Sequence, residues 1–232
     1  MKLGIIGAMD VEVKHLKETM EVHEVKMIAN KEYVEGKIGN LECVVVQCGI
    51  GKVSAALSVQ ILNDYFHVTH VMNTGIAGSL NNDLNIGDIV VSSDAVYHDV
   101  DVTNFGYPIG EMPGVGCCYF KADEELMKEA VNAVKSKAPD VNVKVGRVAS
   151  GDIFVRTKDK KQWIKDTFQA DCCEMEGCAI AQAAYLNNLP FVIIRAISDK
   201  ADESAEETYE TFEAKAAQHC AMITKEMCEH LQ

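Results

Sequence analysis

The chain has 232 residues, 48% of them hydrophobic, and 35 acidic against 22 basic residues leave a formal net charge of -13. That acidity excludes a partner gripped through a phosphate backbone or an anionic bilayer, since both need a basic footprint; no nucleic acid and no membrane is expected. The apolar content suffices for one continuous core. With four prolines and no Ser/Gly tract or charge block to act as a linker, residues 1–232 read as a single domain.

Lys2 to Gly7 is a short apolar run closed by glycine, and apolar residues recur at helical spacing from Val11 to Met20, which predicts strand, turn and helix. Tyr33 to Ile38 and Leu41 to Cys48 flank Gly39-Asn40 and predict a hairpin. A helix follows from Gly51 to Tyr65, a buried strand from His70 to Gly75, and a longer β-rich segment from Ile86 to His98. Residues 99–120 show no periodicity and hold Phe105, Tyr107, Pro108 and Pro113. A connection that long is usually functional or an interface. Then come a helix from Asp123 to Lys137, a strand from Val143 to Ser150, a short helix around Lys158 to Phe168 and a brief strand from Cys172 to Glu174. A helix from Gly177 to Leu186, an apolar strand from Phe191 to Ile197 and a long amphipathic helix from Glu206 onward complete the pattern. Strands alternating with helices, several of them apolar on both faces, predict an α/β sheet covered on both sides. Ligands bind such sheets at the carboxyl ends of strands, where Gly7, Gly49, Gly75, Ser150, Glu174 and Arg195 are expected.

Nine cysteines form no C-x-x-C pair, and the start carries neither a basic n-region nor an apolar h-region. The expectation is a reduced, cytoplasmic protein with no spanning helix and no zinc site. No H-E-x-x-H or G-x-S-x-G occurs, and neither glycine loop, Gly4 to Met9 or Gly49 to Ser54, completes a dinucleotide or P-loop fingerprint.

Charge at strand ends is the stronger signal. Phe191-Val192-Ile193-Ile194 leads directly into Arg195, with Asp199 in the loop beyond, and a buried strand does not carry arginine without a carboxylate or ligand to meet it. Glu174 and Glu176 flank Met175 at another strand end, and Glu12 lies one turn into the first helix. A salt bridge to a lysine would explain the first pair, and a helix N-terminus the third. Taken together, separated acids and one arginine describe a hydrolytic site that needs no metal and no cofactor. One acid protonates a leaving group, another activates water, and a third holds a hydroxylated substrate, as in glycoside hydrolysis.

These residues, in order, resemble a known family. Gly4-Ile5-Ile6-Gly7-Ala8-Met9 with Glu12, Gly49-Ile50-Gly51-Lys52, Asn73-Thr74-Gly75, Tyr97-His98-Asp99, Phe105-Gly106-Tyr107, Ser150-Gly151-Asp152, Glu174-Met175-Glu176 and Arg195-Ala196-Ile197-Ser198-Asp199 are similar to bacterial 5'-methylthioadenosine/S-adenosylhomocysteine nucleosidases over nearly the whole chain. The resemblance implies a nucleoside phosphorylase-like fold, a three-layer, mixed twisted sheet flanked by helices, and a homodimer. It implies hydrolysis of the bond between adenine and ribose, with Asp199 as proton donor toward N7, Glu12 as base for water, Glu176 on the ribose hydroxyls beside Met175, and Arg195 holding Glu12 and the water. Asp199 would need burial to stay protonated.

By the same resemblance the base lies against Phe154 and the backbone of Val155, with Met9, Gly78 and Ser198 also lining the substrate. Ile50 and Tyr209 border the 5'-substituent, and Phe105, Tyr107 and Pro113 come from the partner, so that 99–120 is a dimer arm. Two positions depart from the family's pattern: Ile76 replaces a small hydroxyl residue near the catalytic acid, and Tyr209 a phenylalanine. The nearest rival, phosphorolysis, needs arginines around a phosphate, and Asn73 to Gly78 holds none.

Overall fold

The computed structural model describes residues 1–200 and 205–231, with side chains from 212 onward in the second span. In chain order it contains β1 (Lys2–Gly7), α1 (Asp10–Thr19), β2 (Glu21–Ile28), β3 (Lys31–Ile38), β4 (Leu41–Gln47), α2 (Lys52–Phe66), β5 (His70–Ser79) and β6 (Ile89–Tyr97). There follow β7 (Phe120–Lys121), α3 (Glu124–Lys137), β8 (Val143–Ser150), α4 (Lys158–Phe168), β9 (Cys172–Glu174), α5 (Gly177–Leu186), β10 (Phe191–Asp199) and α6 (Ala205–His230).

Side-chain alternation builds the layers. β1 sends Leu3 and Ile5 to one face and Ile6 to the other, and β10 likewise sends Val192, Ile194 and Ala196 one way and Ile193 and Ile197 the other. With both faces apolar, each must be covered. α2 and α5 bury Val59, Leu62 and Ile180 against the Ile6 face; α1, α3 and α6 bury Leu16, Leu126 and Ile223 against the Leu3 face. Each such aliphatic side chain contributes about 1.5–3 kcal/mol on leaving water. α4 packs Ile164 and Phe168 into a third cluster with Leu80 and Val96.

All ten strands among the described residues join one mixed sheet. β1 lies parallel between β4 and β5, and β5 pairs with β10 in parallel and with β9 antiparallel. β10 pairs with β6, β6 with β8, and β8 with β9, so β5, β10, β6, β8 and β9 close a circuit. The sheet is thus partly a barrel. Closure removes exposed edges from the strands that carry the site.

The expected elements are present, with four differences, one of them the two-residue β7, which no periodicity marks. β2 was not expected: seven of its eight residues are exposed, so no buried stripe marks it. β5 continues four residues past Gly75, and β10 two past Ile197. Gly75 and Arg195 are therefore partners inside a ladder, not strand ends. Residues 99–120 hold only a single 3₁₀ turn at Thr103–Phe105 and the start of β7.

Candidate active site

Glu12 is the third residue of α1 and is 1% exposed. Its carboxylate folds back over the helix start, where Oε2 accepts from the backbone N–H of Ala8 at 2.6 Å and of Met9 at 2.9 Å. Glu12 thereby acts as the third-position acid of a capping box at Met9. Oε1 accepts from the N–H of Ile76 on β5 at 3.1 Å. Burial pushes the Glu12 carboxyl above its ordinary range, and Arg195 and the three N–H donors oppose that only in part.

Arg195, also 1% exposed, crosses from β10 beneath β5. A Cβ on Gly75 would lie 2.2 Å from Arg195 Nη1 and 2.4 Å from Glu12 Oε1, so only glycine lets them meet across the strand. The resemblance pointed to Glu12 as the guanidinium's partner. Nη1 stands 4.0 Å from Glu12 Oε1, within ion-pair reach, while Nη2 donates to Glu174 Oε2 and Asn73 Oδ1 and lies 3.8 Å from Glu176, so the guanidinium is shared among three acids. Glu174 is held further by Ser150 Oγ and by the N–H groups of Glu176 and Gly177. It meets an arginine, not the lysine of the simpler reading. Glu176 accepts from the N–H of Gly51 at 2.8 Å; burial and then the Glu174 charge push its carboxyl up to about 7, against Arg195 and that N–H.

Asp199 ends β10 after a bulge that sets it opposite Gly78. Ser198 Oγ donates to its Oδ1 at 3.1 Å, and Lys161 Nζ donates to its Oδ2 at 2.6 Å. The resemblance called for a buried acid; the structure buries Asp199 and sets the buried Lys161 ammonium directly against it. Ile76 lines the cavity and serves Glu12 through its backbone, so the support of Asp199 falls to Lys161 and Ser198.

Glu12, Glu174, Glu176 and Asp199 converge on one cavity of about 320 Å³. Of the other expected residues, Met9, Ile50, Gly78, Phe154, Val155, Met175 and Ser198 line it, joined by Ile153 and Cys173. Phe105, Tyr107 and Pro113 do not; Phe105 is 75% exposed and the other two are also exposed. Tyr209 lies in α6 with its side chain outside the described residues. Among the described lining residues none is lysine or arginine. Lys52, beside the second glycine loop, is engaged by Asp99 at 2.7 Å.

Sequence reading missed Lys161 and Asn73. Lys161 sits among Lys158, Asp159 and Lys160, which look like a solvated helix start. The signal was its spacing: Lys161, Ile164 and Phe168 fall at i, i+3 and i+7 on the buried side of α4.

A family model described as the phosphorylase superfamily matches residues 2–229. The 5'-methylthioadenosine/S-adenosylhomocysteine nucleosidase of Geobacillus sp. is 41% identical over 233 residues, covering 100% of both chains. The structure of the S-adenosylhomocysteine nucleosidase from Streptococcus pyogenes in complex with 5-methylthiotubericidin superposes with a TM-score of 0.93 at 38% identity, over 100% of this chain and 98% of that one. The futalosine hydrolase of Helicobacter pylori superposes with a TM-score of 0.93 at 34% identity, again over 100% and 98%. Matched along nearly its whole length by the family and by full-length relatives, the chain belongs to the phosphorylase superfamily, within its 5'-methylthioadenosine/S-adenosylhomocysteine nucleosidase family.

Proposed function

We infer that this protein hydrolyses the N-glycosidic bond of 5'-methylthioadenosine and S-adenosylhomocysteine, releasing adenine and the 5-thioribose product. The observation that carries this reading is four carboxylates around one otherwise largely apolar cavity, with no cation among its described lining residues. Such a lining repels an anionic nucleophile and welcomes a cationic sugar, so water attacks and phosphate does not.

As the C1'–N9 bond breaks, its electron pair passes to the base while Asp199 delivers a proton to N7. Water bonds to C1' and gives its proton to Glu12, whose burial raises its affinity for it. Glu176 binds the ribose hydroxyls beside the Met175 backbone. Arg195, held by Glu174, balances the charge behind Glu12 and Glu176. Phe154 and the Val155 backbone flank the base, with Met9, Gly78 and Ser198 close by, and Ile50 and Tyr209 border the 5'-substituent.

The functional unit is a homodimer of single-domain chains working in the cytoplasm. Its arm, 99–120, places Phe105, Tyr107 and Pro113 of each chain over the partner's pocket. The exposure of Phe105 together with the open, apolar rim at Ile50 and Phe154 supports this. Among the described residues no helix is long and apolar enough to cross a membrane.

Adenine release from methylthioadenosine, followed with and without inorganic phosphate, tests the reaction. Equal rates are expected, and strict phosphate dependence would overturn the hydrolytic reading. A futalosine-type nucleoside run at equal concentration measures selectivity at the 5' position, where these relatives' names diverge.

A further inference from the structure

Lys161 is 3% exposed and is the one lysine among the described residues that is fully buried. Its position is unfavourable twice over. Its charge has left water, and it lies in the first turn of α4, where the helix dipole repels cations. Ile164 and Phe168 on the same face are apolar, and a methionine would fill the space. Two contacts offset the cost: Nζ donates to Asp199 Oδ2 at 2.6 Å and to the backbone oxygen of Lys200 at 2.7 Å. The second contact fixes the ammonium independently of the first. Lys161 does not line the cavity that Asp199 faces; it approaches from the far side.

We propose that Lys161 is a positioning residue for proton donation: it grips Oδ2 of Asp199, leaves Oδ1, which only the Ser198 hydroxyl also reaches among the described side chains, to carry the proton to the base, and stabilises the carboxylate left when the proton goes to N7. The inference rests on Asp199 being the donor. Lys161 keeps all its protons in the step; the proton lost by Asp199 is regained from solvent after adenine leaves. Among the described residues, the other groups near the pair are Cys173 and, behind it, Glu174 from β9, Ser198 from β10 itself, and Lys158, Asp159 and Lys165 of α4, which border the outer cleft with Lys161; β5 presents Gly78, which carries no charge.

A cation beside an acid favours loss of its proton, so removing the cation lets the acid stay protonated to higher pH. In Lys161→Met the alkaline limb of the kcat/KM profile is expected to move up by about one pH unit or more. On the plateau kcat falls about 10- to 100-fold, as a loosened donor dictates. Lys161→Gln, polar but neutral, is the second variant and moves the limb the same way. In the Asp199→Asn background Lys161→Met costs nothing further. If Asp199→Asn is inactive while both Lys161 variants keep the parent pH profile, the role of Lys161 is overturned and the proposed function stands. If Asp199→Asn turns over normally, both fall.

Discussion

At one end of the cavity a single guanidinium serves three carboxylates; at the other a single ammonium serves one. Around Arg195 the account is left negative; burial pushes Glu12 and Glu176 toward holding protons, and for Glu176 the Glu174 charge adds to it. Around Asp199 the pair is balanced. The contrast shows how one chain arranges opposite proton chemistry a few residues apart along β10. An under-neutralised cluster suits groups that accept a proton or meet a cationic sugar, and a private cation suits a group that must be left as an anion.

The largest effect expected from breaking this contrast comes from removing either proton-transfer group. Glu12→Gln and Asp199→Asn should each lower kcat by about 10²–10⁴ or more while the melting transition survives. A variant with near-normal kcat would sink the role assigned to that residue. Next, Arg195→Met leaves three buried carboxylates without their cation and should cost about 3–5 kcal/mol in urea unfolding at neutral pH. A loss below about 1 kcal/mol would mean that Arg195 is not what holds the acids together.

A sharper comparison uses pH. Glu176 holds its proton up to about 7 in the folded chain against an ordinary value of 4.5. Between these values the folded state binds more protons than the unfolded one, so this group lowers stability as pH rises across that window. The loss is complete above about 7 and amounts to about 3 kcal/mol at most. Glu176→Gln should therefore gain on the parent chain as pH goes from 4.5 to 7; parallel stability curves across that range would refute the shift. The smallest effect belongs to Gly75→Ala. Its Cβ forces Arg195 and Glu12 apart and should cost about 1–3 kcal/mol in stability, together with activity. An active, undiminished variant would show that the crossing under β5 is loose.

Much of this was legible beforehand. The apolar runs through β1 and β10 announced buried strands, and the acids after them, with Arg195, announced a site. What escaped had no local mark. β2 buries almost nothing, so periodicity is silent there. Lys161 resembles its solvated neighbours until α4 is turned to show which face it shares with Ile164. Reading Gly75 as a strand end missed that the ladder continues because glycine leaves room beneath it.

By itself the sequence determined the α/β alternation, the positions of Glu12, Glu176, Arg195 and Asp199, and the reaction family, because periodicity and motifs are properties of neighbouring residues. Only the tertiary structure decided which charge meets which. Arg195 finds Glu174 at 21 residues' separation and Asn73 at 122, and Asp199 finds Lys161 at 38. Those pairings follow from the closed circuit of β5, β10, β6, β8 and β9 and from the docking of α4 beside it. Partner choice among buried charges depends on distance in space, which no run of adjacent residues encodes.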